Sequence, residues 1–380
     1  MRRPLILLAL GLVLAGPFVL GYRLSRGDRA TSPVAMASVV DEVRAALAGR
    51  YYRPVPPSVL QLGSVGEIIS ALGDPYTAYL APPDYELLRQ QTESHYSGIG
   101  VSVLPSARGL VVVSVRPGPA THAGLRAGDT IVRIDGLPSL GLGTDAARAR
   151  ILGPLGTHVR LEVLRARTRI DLDVRRGLVR APLVETALLS YRGRRWGHLR
   201  LGAFRAGAAA ALRKQIRGLE RGGAAGLVLD LRENPGGLLD QAVAVSSLFL
   251  DRGVVVSLAG AHNPREVYRA AGGIATRLPL VVLVDRYSAS SSEIVAAALN
   301  DNQRATLVGE RTFGKALVQS LDPLDNGAAL EITIARYTTP AGRNISGVGV
   351  VPTVHVVDDP RTARDEALET ALRVLARPTS

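Results

Sequence analysis

Three short segments of this chain carry residue types and spacings suited to chemistry. The first is DRYSASSSE, residues 285–293, between an apolar run and a helical pattern. A serine at a strand-to-helix turn has its hydroxyl near a helix N-terminus, where backbone N–H groups point outward. That makes Ser290 a candidate nucleophile. The same S-x-x-E spacing, Ser290 to Glu293, is also a capping box, which is the commoner use of the pattern. The second segment is DLRENPGG, residues 230–237, whose Pro235 and paired glycines make a tight turn. Its exposed N–H groups could hold a developing oxyanion, or the turn could simply need glycine's backbone freedom. The third is RTFGKALVQ, residues 311–319, with Lys315 inside a mostly apolar stretch.

Composition gives that lysine weight. Of 46 basic residues, 44 are Arg; only Lys214 and Lys315 are Lys. An Arg keeps its proton at any working pH, whereas a buried Lys can lose it and serve as a general base. Two lysines are few enough for chance to account for either one. The chain has no Cys, which removes thiol nucleophiles, thiolate metal sites and disulfides. Its six His are scattered without metal-ligand spacing, so a zinc hydrolase is not expected, and no metal or cofactor is implied. With no His in these segments, a Ser–Lys dyad is the natural acyl-transfer pair.

The elements that must position these groups can be read coarsely. Residues 1–37 open with Arg2 and Arg3, followed by an uncharged apolar run over 4–22. That is an export signal or an uncleaved anchor, long enough to span a bilayer, with the bulk of the chain translocated. Residues 38–96 form a helical N-terminal region. Residues 97–176 are rich in short alternating strands, a small β module. Residues 177–360 alternate strand and helix, a mixed α/β core with βαβ crossovers. Residues 361–380 close the chain with a helix.

The net charge of +13 is uneven, for 151–221 hold sixteen basic and five acidic residues. Nucleic acid and an anionic membrane surface are candidate partners for such a region. The basic residues are not interleaved with aromatics, so a solvated Arg-rich face is the simpler account and no nucleic-acid partner is expected.

From about residue 40 to 356 the chain resembles the C-terminal processing peptidases, or tail-specific proteases. The stretches that carry the resemblance are GDPYTAYLAP, GIGVSV, GLRAGDTIVRIDG, GHLRLGAF, DLRENPGGLL, SASSSEIVAAAL, RATLVGERTFGKALVQ and ITIARYTTPAGR. The resemblance implies a PDZ domain at 97–176 inserted before a crotonase-like (ClpP-like) Ser/Lys protease core. It implies Ser290 as nucleophile and Lys315 as base. Gln319 matches a residue orienting that lysine, although a strand would hold the two about 13 Å apart. Asp301 matches an acidic position at the end of the nucleophile helix. By analogy the oxyanion donors are the N–H groups of Gly236 and Ser291. The PDZ carboxylate loop is Gly98, Ile99, Gly100 and Val101, taking a peptide C-terminus as an added strand. Implied further are an exported, periplasmic or envelope location, protein C-termini as substrates, gating by tail binding, and a homo-oligomer. The chain departs from the family pattern at Ser291, where Ala is frequent, at Ala316, where Gly is usual, and at Thr353, where an acid is common. The rival reading is a non-catalytic PDZ scaffold on a protease-like fold; the intact Ser290, Lys315 and NPGG turn count against it.

Overall fold

The computed structural model describes residues 39–92, 95–141, 150–180, 183–359, 361–362 and 364–377. The apolar run at 4–22 and the rest of 1–37 lie outside these residues. Among the described residues, no helix is long and apolar enough to cross a membrane. The chain divides into two compact units. One holds the residues up to Pro83, Thr186–Phe204 and everything from Leu212 on; the other holds Asp84–Glu185 and Arg205–Ala211.

The first unit is built on two sheets. One has six strands in the order Val184–Tyr191, Arg194–Leu201, Ala224–Asp230, Leu280–Val284, Thr306–Gly309, Val354–His355. From Arg194–Leu201 onward every pairing is parallel. Parallel strands need crossovers, and their central members are covered on both faces, so they read as unbroken apolar runs. Leu280–Val284, sequence LVVLV, is buried at all five positions. The C-terminal helix Glu366–Leu375 lays Ala367, Ala371, Leu372 and Leu375 against Trp196, Val228, Val281, Leu283 and Val308.

The second sheet is antiparallel and centred on the long strand Ala329–Thr338. Leu317–Pro323 pairs along one edge of it; on the other edge Ala78–Leu80 pairs at its start and Val254–Ala259 at its end. Leu330 and Ile332 of this strand pack with Val43, Leu47, Tyr51, Ile68 and Leu72. The N-terminal helices Val39–Arg50 and Val65–Leu72 therefore share a core with the sheet. Val65–Leu72 begins with a capping box: Glu67 N–H donates to Ser64 Oγ at 3.3 Å and Ser64 N–H to Glu67 Oε2 at 3.1 Å. Gly73 ends it with φ 60°.

The second unit is built on a six-stranded antiparallel sheet: Val101–Ser106, Gly109–Val115, Thr130–Ile134, His158–Arg165 and Thr168–Arg175 pair in that order, and Leu137–Pro138 pairs with Thr130–Ile134 off this path. Its core joins Ile99, Leu110, Val112, Ile131, Ile134, Val159, Leu161, Val163 and Val174. On His158–Arg165 the buried residues alternate with exposed or half-buried ones, as a one-sided sheet requires.

Candidate active site

All three chemical segments lie just past the carboxyl ends of adjacent parallel strands, where open α/β sheets place their sites. Residues 230–237 follow Ala224–Asp230, 285–290 follow Leu280–Val284, and 310–316 follow Thr306–Gly309. Side chains and backbone lace the turns together. Ser288 Oγ donates to the Leu231 carbonyl at 2.7 Å, and Glu233 N–H donates to Asp285 at 3.0 Å. Ala289 N–H and Ser292 Oγ both donate to the Asn234 carbonyl, at 3.0 and 2.8 Å. Phe313 N–H donates to the Ser288 carbonyl at 3.0 Å.

Ser290 precedes the helix Ser291–Asp301 and is 3% exposed. Its backbone has φ 53° and ψ −105°. A non-glycine residue there is strained, at about 1–3 kcal/mol, and stays only where its surroundings hold it. The holding group is Glu293. Its carboxylate accepts from Ser290 N–H at 2.7 Å, Gly314 N–H at 2.7 Å, Lys315 N–H at 2.9 Å and Thr312 Oγ1 at 2.5 Å. Burial pushes the Glu293 carboxyl up, and these four donors pull against that rise. Tyr337 OH adds a second tie, donating to the Lys315 carbonyl at 2.5 Å, with the Ser290 carbonyl at 3.4 Å. Gly314 lies in the left-handed region, φ 90°, and a Cβ there would sit 2.9 Å from the backbone nitrogens of Val348 and Gly349. Only glycine fits.

Lys315 is 4% exposed, and its Nζ lies 4.5 Å from the centre of the Tyr76 ring. Burial lowers its ammonium to about 8, against the pull of Glu331, then Asp74 and Glu293. What links the Ser290 and Lys315 positions is Glu293 and Tyr337. Around Lys315 lies a polar interior. Asp74 accepts from Thr77 Oγ1 at 2.8 Å and from Tyr51 OH at 3.1 Å. Thr333 Oγ1 lies 3.3 Å from both Thr77 Oγ1 and Gln319 Nε2.

The remaining candidates separate. Gln319 sits on the strand Leu317–Pro323, fully buried; its Nε2 donates to Thr333 Oγ1, and its Oε1 has no hydrogen-bond partner among the described residues. Asp301 ends the helix that Ser290 begins, roughly 15 Å away along its axis. Its carboxylate accepts from Ala341 N–H at 3.0 Å and pairs with Arg343. Gly236 N–H donates to Asn234 Oδ1 at 2.8 Å, while Asn234 Nδ2 donates to the Leu201 carbonyl at 2.6 Å. Next to it Gly237, φ 140°, lies so close to Phe204 that a Cβ would meet its carbonyl oxygen at 2.3 Å. The Ser291 hydroxyl, one of the departures, donates to the Gly237 carbonyl at 2.9 Å. It ties the helix Ser291–Asp301 to the glycine turn.

In the second unit, Gly98 ends the strand His95–Gly98 and Val101 opens Val101–Ser106. Between them Ile99 is fully buried, and Gly100 has φ 80°. Their carbonyls accept from Ala120 N–H at 3.0 Å and Arg116 N–H at 2.8 Å. Among the described residues Val101–Ser106 pairs only with Gly109–Val115, leaving one edge open to an added strand.

Sequence reasoning missed Glu331, Asp74, Tyr76 and Tyr337, and gave Glu293 only its capping role. Tyr337 lies in the ARYTTPAGR stretch, and Asp74 and Tyr76 in GDPYTAYLAP, so the resembling segments marked the region without assigning the groups. No local pattern marks Glu331, which lies on a strand buried at every position from 329 to 333.

A strained serine, a buried lysine of depressed basicity and glycine-turn N–H groups lie at one sheet end, the kinds of group that acyl transfer uses. The pattern of Peptidase family S41 matches residues 195–356, and that of a PDZ domain matches 111–165. The chain is 40% identical over 302 residues to the carboxyl-terminal-processing protease of Picosynechococcus sp., covering 78% of this chain and 73% of that one. The corresponding protease of Synechocystis sp. is 40% identical over 303 residues, covering 78% and 71%. Among solved structures, a photosystem II D1 C-terminal processing protease superposes with a TM-score of 0.56 at 31% identity, covering 89% of this chain and 97% of that one. The chain belongs to peptidase family S41: it is a serine-type peptidase of the carboxyl-terminal-processing kind, with a PDZ domain.

Proposed function

We propose that this peptidase cuts exported or envelope proteins near their C-terminal ends, with Ser290 as nucleophile and Lys315 as general base. The observation that carries the reading is Lys315: a nearly inaccessible lysine, lowered to about 8, fixed through Glu293 and Tyr337 to the strained Ser290 turn. Ser290 Oγ attacks the peptide carbonyl carbon and its proton passes to Lys315 Nζ. The ammonium then protonates the departing amine, leaving an acyl ester on Ser290. Water, deprotonated by the same lysine, releases the acid and restores the serine. The N–H groups of Gly236 and Ser291 hold the oxyanion, which requires the Asn234 side chain first to give up its bond to Gly236. Gln319 and Asp301 support rather than react: Gln319 lines the lysine's interior, and Asp301 clamps the 339–343 loop.

The domain reading is a PDZ domain at 97–176 and a Ser/Lys core at 177–360, with the 38–96 helices serving that core. The Gly98–Val101 loop and the open edge of Val101–Ser106 take the substrate's tail. Residues 4–22 direct export and anchor the enzyme in the inner membrane, with its catalytic part on the far side. Cleavage of an unstructured substrate with an apolar C-terminus tests the dyad. Ser290→Ala and Lys315→Arg, both folded, abolish it; full cleavage by either sinks the corresponding role. The value of kcat/KM rises with pH through about 8, as the lysine's ammonium gives up its proton.

A further inference from the structure

The interior beside Lys315 holds a carboxyl group that the reaction above leaves unused. Glu331 is fully buried, and among the described residues neither of its carboxylate oxygens has a hydrogen-bond partner. Glu293, equally buried, collects four donors. An ionised carboxylate without donors is expensive to bury, and the usual outcome is that it takes up a proton.

Its direction follows from the strand. Leu330 and Ile332 pack toward the N-terminal helices, so their neighbours Glu331 and Thr333 face the opposite side of the sheet. That side carries the Thr333–Thr77–Asp74 contacts and Gln319, with Lys315 over Tyr76. Burial pushes the Glu331 carboxyl up to about 8, opposed by the charge of Lys315 and assisted by that of Asp74. Among the carboxylates acting on Lys315, Glu331 acts most strongly, ahead of Asp74 and Glu293. The other titratable groups packed there are the phenols of Tyr51, Tyr76 and Tyr337, all raised by burial and neutral across the working range.

We propose that Glu331 is a positioning residue for this peptidase: its carboxyl group sets the protonation state of the Lys315 amine, holding the ammonium when ionised and freeing the amine when protonated. The proposal rests on the reading of Lys315 as general base. The exchange balances. Ammonium and carboxylate become amine and carboxylic acid by the shift of one proton, and the enclosed net charge stays at zero. The amine so produced has the lone pair that accepts the Ser290 proton. The ion pair is a resting store and the neutral pair is the working form. A dry interior favours the neutral pair over two poorly solvated charges.

Glu331→Gln imitates the protonated acid permanently. In the full chain, the acidic limb of the kcat/KM profile moves to lower pH by about one unit, the size of shift expected from removing one nearby carboxylate. A limb that stays in place or moves upward, in a variant that melts like the wild type, overturns the proposal. Should the variant fail to fold, infrared difference titration of the wild-type enzyme decides. A carboxylic acid band must be present across the pH range in which the enzyme is active and must change in Lys315→Met; absence of either overturns it. The two readings fail separately. Cleavage by Lys315→Arg removes the base assignment, whereas an unmoved limb beside an inactive Lys315→Arg removes only the role of Glu331.

Discussion

Two buried charge clusters in the same unit are built to opposite rules. In the first, Asp230 is fully buried at the end of its strand and receives Arg232 at 2.7 Å and His198 at 3.0 Å. Arg232 also reaches Asp365 at 2.8 Å and Asp358 at 3.1 Å, fastening the strand end to the C-terminal helix that Asp365 caps. Burial alone would raise the Asp230 carboxyl, but the hydrogen bonds from His198 and Arg232 outweigh it and hold it well below the usual range. In the second cluster Lys315 and Glu331 are nearly as buried, the Glu331 carboxylate has no hydrogen-bond donor among the described residues, and both groups sit near 8. A saturated cluster fixes its charges and serves the fold. An unsaturated one brings its groups to the pH at which they exchange protons, which is where catalytic groups must be. The cation chosen agrees: Arg, which cannot deprotonate, in the first, and one of only two lysines in the second.

The largest test of this contrast exchanges each cation for Met. Arg232→Met leaves Asp230 buried beside only His198 and removes the tie to the C-terminal helix. The expected loss is about 3–5 kcal/mol in chemical denaturation. Lys315→Met removes a cation the fold already penalises, and its stability should stay level or rise by about 1–2 kcal/mol, while cleavage falls by roughly three orders of magnitude. Equal destabilisation in the two variants would break the comparison.

Acid sharpens it next. The Asp230 carboxyl is depressed in the folded state, so below its unfolded value of 3.8 the folded chain binds fewer protons than the unfolded one. The stability from this cluster is therefore complete above about pH 4 and is lost as pH falls further. Melting temperatures taken stepwise from pH 6 to pH 3 should drop most steeply at the acid end, and Asp230→Asn should flatten that drop. A wild-type curve with no acid fall would show that the cluster's charges are not coupled to folding.

How much of this was legible in the sequence divides along the same line. Ser290, Lys315 and the NPGG turn lie on local patterns, because turns at strand ends demand particular residues at fixed offsets. The alternating strands of 97–176 and the apolar runs of the parallel sheet were readable for the same reason. Glu331 and Asp74 were not. They meet Lys315 only because Ala329–Thr338 pairs with both Leu317–Pro323 and Ala78–Leu80, two segments more than two hundred residues apart. Burial and missing donors are properties of that pairing and leave no trace in either segment. The packing of the N-terminal helices against Leu324, Ala328, Leu330 and Ile332 is non-local in the same sense.

The smallest effect is expected at Asp301, which ends the helix that follows Ser290 but obeys the first rule. Its carboxylate is satisfied by Ala341 N–H and by Arg343, a half-exposed partner whose pairing contributes at most about 1 kcal/mol. Asp301→Asn keeps an acceptor for Ala341 and loses only the charge. Its melting temperature should fall slightly, and its pH–rate limb should coincide with that of the wild type, since Asp301 is not among the carboxylates acting on Lys315. A limb displaced in Asp301→Asn, or a tenfold fall in kcat/KM with the fold intact, would move Asp301 into the group around Lys315. The boundary between structural and reactive charge would then run along that helix rather than between the two clusters.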